Sequence, residues 1–315
     1  MRRKEKKFLT RKTYPHKPTA EEFFLVFLIK KFFPGLAENM FQENNERFAD
    51  SKEKGGSSFS EDIVWVDNGS NITVIAFTGL AIRFGGMPQF ELKKILSQDG
   101  GRYNQIYVRD VQRSLYFRSP QGENNGLQYY QEGIMRAISH LPPSFNVTVG
   151  ISAGGLAPFI LCNGLPIHQI LSFNPSFPLD QYGSENLLRL SLRPKALVSD
   201  PRSYFESILI VLSARLIWKR LCRILGKNNF PDVLQCYLDT NPQPPAATIF
   251  YSRFNPPDFR QAMRLRGVPG ITLVAVNSAR HVCLTELRDS GKLGPLLHQQ
   301  IHKAYLAWLK AGNRH

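Results

Sequence analysis

Residues 145–161 read FNVTVGISAGGLAPFIL, and the interpretation of this stretch decides the fold. At its centre Gly150-Ile151-Ser152-Ala153-Gly154 has the form Gly-x-Ser-x-Gly. The β-branched run before it predicts a strand over 147–151, and the small-then-apolar run after it predicts a helix over 153–161. The chain must therefore turn sharply at Ser152. A serine at such a turn sits in a strained conformation, and two residues to either side only glycine leaves room for the backbone. Gly150 and Gly154 occupy those two places.

Working outward, strand and helix patterns alternate. Strands are expected at 63–66 and 72–77, joined across Asn68-Gly69 as a hairpin or as adjacent strands, then at 105–108, 167–173, 247–251 and 271–276. Helices are expected at 90–96, 126–141, 258–265 and 294–310. Such alternation implies a mainly parallel sheet with helices on both faces, a three-layer α/β fold whose sites form beyond the carboxyl ends of the strands. Residues 180–245 interrupt the alternation with a long apolar run and a proline-rich return at Asn241-Pro242-Gln243-Pro244-Pro245. They read as a helical insertion before the last two strands, either a lid or a helix packed on the domain. Arg215, Lys219 and Arg223 would share one stripe of it.

Residues 1–60 read as a basic N-terminal extension, comprising an amphipathic helix and a polar linker, ahead of a domain over 61–315. Residues 23–29 are seven apolar residues in a row. A bilayer span needs about twenty, and Glu21 and Glu22 beside the run suit a secretory signal poorly. The expectation is a cytoplasmic protein, at most peripheral to a membrane. The net charge of +15 could draw an anionic membrane surface to the basic segments. No specific nucleic acid is expected, since no helix-turn-helix, RNA-binding aromatic motif or zinc-ligand spacing accompanies the charge. The four cysteines are widely spaced and read as buried hydrophobes, Cys283 included, although it lies two residues past His281. There is no phosphate-binding Gly-x-x-x-x-Gly-Lys-Ser/Thr, no His-Glu-x-x-His and no dinucleotide glycine fingerprint, so no metal or organic cofactor is implied.

A serine hydroxyl becomes a nucleophile when a base takes its proton, so the turn calls for a histidine and an acid in the order serine, acid, histidine. His281 stands just past the last strand; His140 precedes the serine strand, His168 lies at the wrong end of the next, and His298 and His302 lie on the final helix. For the acid, Asp258 follows the penultimate strand, with Asp180 and Glu286 behind it. Pro256-Pro257-Asp258 also suits a helix start. The oxyanion would take backbone donors from Ala153 and from Leu80, in the loop Thr78-Gly79-Leu80 after the 72–77 strand. Arg83 is a candidate for contacting an anionic part of a substrate.

From about Ile63 to Lys310 the chain resembles the α/β-hydrolase-fold superfamily, on the strength of the turn at Ser152, Asp258 after the penultimate strand and His281 after the last. Phe77-Thr78-Gly79-Leu80, the run from Phe84 to Glu91 and the run from Leu287 to Leu293 are similar to a poorly characterised bacterial subgroup of that fold. The resemblance implies a serine hydrolase of esterase or thioesterase type, acting on a small-molecule or lipid-like acyl substrate. An acyltransferase with the same triad, or a non-catalytic member that binds a partner or membrane surface, would share these features. Thr78-Gly79 replaces the usual His-Gly of the oxyanion loop, and the acid loop lacks the usual Gly-x-Asp.

Overall fold

The computed structural model describes residues 56–60, 62–79, 92–97, 101–176, 219, 221–223, 225–226, 230–281 and 283–312. Eight strands form one sheet: β1 (Gly56–Ser60), β2 (Ile63–Val66), β3 (Ile72–Phe77), β4 (Asn104–Val108), β5 (Phe145–Ile151), β6 (Gln169–Phe173), β7 (Ala246–Ser252) and β8 (Ile271–Val276). Their order is β1-β2-β4-β3-β5-β6-β7-β8. β2 pairs antiparallel with both β1 and β4, and every pairing from β4 to β8 is parallel. The carboxyl ends of β3 to β8 therefore share one edge, where the intervening loops gather.

The described helices are α1 (Lys93–Ser97), α2 (Gly126–Ser139), α3 (Ala153–Leu161), α4 (Val233–Leu238), α5 (Pro256–Arg264), α6 (Cys283–Asp289) and α7 (Leu293–Lys310). Alternate residues of the central strands point to opposite faces, and each face has its own core. Ile75 and Phe77 of β3 join Leu156, Phe159 and Ile160 of α3 and Tyr130 and Ile134 of α2. Ile72, Val74 and Ala76 join Leu96 of α1, Leu284 of α6 and Leu297 and Ile301 of α7. The three-layer α/β expectation matches this architecture.

Two local expectations need correction. The 63–66 and 72–77 strands are not neighbours, because β4 lies between them. The connecting turn closes on β4 instead: Asn104 Oδ1 accepts from the amides of Asn68 and Ser70, at 2.9 and 3.0 Å. Six consecutive buried residues make β3 a central strand, with β4 on one side and β5 on the other. The polar-linker reading of the end of residues 1–60 also missed β1. Its Gly-Ser composition carries no apolar alternation, but its backbone pairs with β2.

Residues 1–55 and 177–218 lie outside the described residues, so the extension helix and most of the expected insertion do too. The end of that insertion is bound to the core. α4 packs against α3 through Phe159 and Tyr237, with ring centroids 5.3 Å apart, and Cys162 Sγ lies 3.0 Å from Thr240 Oγ1. Leu221 is buried, while Lys219 and Arg223 of the basic stripe are exposed.

Candidate active site

Ser152 follows β5 directly and caps α3. Its backbone has φ 53° and ψ −114°, a region that costs a residue with a Cβ about 1–3 kcal/mol. Hydrogen bonds hold it on both sides: its amide donates to the Phe173 carbonyl at 2.9 Å, and its carbonyl accepts from Leu156 at 3.0 Å. The flanking glycines let the backbones approach. A Cβ on Gly150 would collide with the Gly154 carbonyl oxygen, and one on Gly154 would collide with that of Phe77. A third glycine, which the five-residue pattern does not include, is similarly confined: a Cβ on Gly155 would lie 2.6 Å from Ser172 Oγ.

His281 closes the loop after β8 and is 8% exposed. Its Nε2 lies 3.2 Å from Ser152 Oγ, and its Nδ1 lies 2.7 Å from Asp258 Oδ1. Asp258 projects from the first turn of α5, whose cap is Asn255: the Asn255 side chain accepts from the Asp258 amide at 3.2 Å. The helix start expected at Pro-Pro-Asp is what delivers the carboxylate to the imidazole. Burial, the largest influence, pushes the Asp258 carboxyl above its ordinary pKa, while the His281 imidazole and the Asn174 amide act in the opposite direction. With Nδ1–H donating to the carboxylate, Nε2 is left as an acceptor facing the serine hydroxyl.

The structure therefore brings Ser152, His281 and Asp258 into one hydrogen-bonded line. Ala153, the first residue of α3, offers an amide at the position where a helix has no internal acceptor for it. Leu80 and Arg83 lie outside the described residues, as does Asp180. The loop that leads to Leu80 starts beside the turn, because Gly154 packs on the carbonyls of Phe77 and Thr78, and the Tyr116 hydroxyl donates to the Thr78 carbonyl at 2.9 Å. Glu286 is exposed on α6. His140 stacks on Trp65, His168 accepts from the Asn146 amide, and His298 meets the Tyr103 hydroxyl, all away from Ser152. Cys283 is fully buried, and burial beside Asp258 pushes its thiol far up, which fits the hydrophobe reading.

Three polar residues at this edge were not singled out from the sequence. Ser176 Oγ lies 3.4 Å from Ser152 Oγ. Asn174 donates through Nδ2 to Asp258 Oδ2 at 2.8 Å and to Ser252 Oγ at 3.0 Å. The available signal was their place just past, or at the end of, strands β6 and β7. Among the described residues no three or more His, Cys, Asp or Glu side chains gather as a metal site, and no helix is long and apolar enough to cross a membrane.

A sheet in which only β2 runs against the rest, with a strained serine after β5, a carboxylate after β7 and a histidine after β8, defines a class of three-layer α/β protein. The chain has the α/β-hydrolase fold. It is similar in structure to an inhibited esterase B from Lactobacillus rhamnosis, with TM-score 0.56 and 11% identity over 92% of this chain and 100% of that one. It is also similar to a protein of unknown function from Staphylococcus aureus subsp. aureus Mu50, with TM-score 0.52 and 11% identity over 78% of this chain and 94% of the other. Neither a family model nor a curated protein matches the sequence.

Proposed function

We propose that this protein is a serine hydrolase that cleaves carboxylic esters or thioesters through an acyl-enzyme. The observation that carries the reading is the line from Asp258 through His281 to the hydroxyl of a strained Ser152, at 2.7 and 3.2 Å. Ser152 Oγ attacks the acyl carbon as its proton passes to His281 Nε2. Asp258 accepts from Nδ1–H throughout, which fixes the tautomer and stabilises the imidazolium. The oxyanion lies against the Ala153 amide, with the Leu80 amide as second donor; one such donor is worth about a hundredfold or more in rate. His281 then returns the proton to the leaving alcohol or thiol. Water, deprotonated by the same nitrogen, attacks the acyl-enzyme; the bond to Ser152 Oγ breaks, the acid leaves and the proton returns from Nε2 to Oγ.

The same chemistry supports an ester or thioester substrate. The imidazolium formed in the attack can protonate a departing alkoxide or thiolate, and no second acid is needed. A fluorophosphonate probe tests the reading directly, because Ser152 Oγ displaces fluoride from phosphorus and keeps the label. Wild type is expected to label and Ser152→Ala to stay unlabelled. A folded wild-type sample that does not label overturns the proposal.

A further inference from the structure

Asn174 takes no part in the proton path, yet its side chain touches every loop that carries the acid and the base. It directly follows β6, is 1% exposed and has φ 47°, a left-handed conformation that asparagine tolerates better than most residues. Its amide is fully used. Nδ2 donates to the second oxygen of Asp258, Oδ2, at 2.8 Å and to Ser252 Oγ at 3.0 Å, while Oδ1 accepts from the Cys283 amide at 3.1 Å. The chemistry fixes this orientation. A flipped amide would set its oxygen against a carboxylate and its NH2 against an N–H.

The polarity of Ser252 is then fixed as well. Its oxygen accepts from Asn174, so its proton goes to the Arg280 carbonyl, the acceptor the structure places on it. His281 is thereby gripped from both sides, at the carbonyl of residue 280 through Ser252 and at the amide of residue 283 through Asn174. The same Asn174 side chain holds the acid. The two loops that must meet are anchored to one buried amide just past a third strand.

We infer that Asn174 is a positioning residue for the Asp258–His281 pair: by holding Asp258 Oδ2 and the Cys283 amide it sets the spacing of acid and base. This rests on the serine-hydrolase reading of the same site. Side-chain placement matters at this level because a misplacement of about 1 Å in a reacting constellation costs on the order of a hundredfold.

The test separates the amide from the backbone turn. Asn174→Gly keeps a residue at ease with positive φ and removes the side chain; Asn174→Ala removes both. Full-length wild type and both variants are reacted with a fluorophosphonate across a range of pH, and the binding constant is separated from the maximal labelling rate. The maximal rate is expected to fall roughly 10–100-fold in both variants with probe binding unchanged. The acidic limb of the profile is expected to move to higher pH, since a carboxylate that loses a donor takes up a proton more readily. The downfield proton resonance of His281 Nδ1–H, read on the unlabelled protein, is expected in wild type and lost or shifted in Asn174→Gly. A folded Asn174→Gly protein with wild-type labelling rate, pH profile and resonance overturns the inference. A wild type that never labels overturns the hydrolase reading itself, and the resonance then still decides whether Asn174 holds the pair.

Discussion

Each end of the parallel sheet carries a polar network with a histidine in it, partly buried at the amino end and buried at the carboxyl end, and the two networks end differently. At the amino end, His168 Nδ1 accepts from the Asn146 amide at 2.9 Å, and Asn146 Nδ2 donates to the Pro166 carbonyl at 2.8 Å. Ser144 Oγ donates to Asn146 Oδ1 at 3.1 Å and meets Thr73 Oγ1 at 2.6 Å. The histidine there faces a backbone amide, stacks on Phe145 and meets the edge of Trp308. At the carboxyl end, His281 faces a carboxylate with one nitrogen and a strained hydroxyl with the other. A backbone amide has one protonation state to offer, so the first network can only hold its strands together. A carboxylate on one side and a hydroxyl on the other leave a proton somewhere to go.

Replacing each histidine in turn breaks the comparison most directly. His281→Ala is expected to cut fluorophosphonate labelling by about a million-fold, the scale on which a base that works as a unit with its serine is lost. His168→Gln keeps an acceptor near the Asn146 amide and should label at the wild-type rate. Equal losses in the two variants would mean that the amino-end histidine is coupled to the chemistry.

A smaller effect sharpens the other side. Asn146 is 3% exposed and tied to Pro166, Ser144 and His168. Asn146→Ala removes the side-chain bonds to Pro166 and Ser144 and keeps the backbone bond to His168, a loss of about 0.5–1.5 kcal/mol for each bond removed. Urea denaturation is expected to show a loss of that size while the labelling rate of the folded protein stays unchanged. A rate loss without a stability loss would reverse the assignment of the two ends.

The two ends were unequally legible in the sequence. The turn at Ser152 stood out because its glycines are forced by backbone approach, a local constraint that writes itself into five consecutive residues. His281 and Asp258 were found because a parallel sheet puts every useful loop at one edge, and chain order then leaves few candidates. Asn174 was not found. An asparagine before a proline at a strand end reads as a turn residue, and its partners lie 78, 84 and 109 positions away in sequence. Strand order failed for the same reason: Asn68-Gly69 looks like a hairpin turn until Asn104, far along the chain, takes the neighbouring amides.

The smallest effect concerns what the carboxyl end costs the fold. Burial holds the Asp258 carboxyl above its ordinary pKa in the folded protein. The folded state therefore binds that proton more tightly than the unfolded chain does, and wild type loses stability as pH rises through the folded value. An asparagine at this position cannot ionise, so Asp258→Asn escapes that loss. The imidazole of His281, which faces the carboxyl, acts against burial and reduces this effect without reversing it. The unfolding free energy of Asp258→Asn relative to wild type, measured in urea, should thus improve as pH rises above the ordinary carboxylate pKa of about 4, although the variant labels more slowly by about ten-thousandfold. Asn146→Ala, at the end without an ionised partner, should show a difference from wild type that does not change with pH. A flat difference for Asp258→Asn would mean that the amide of Asn174 and the imidazole fully offset the burial of the charge, and that the carboxyl end of the sheet is held at no greater cost than the amino end.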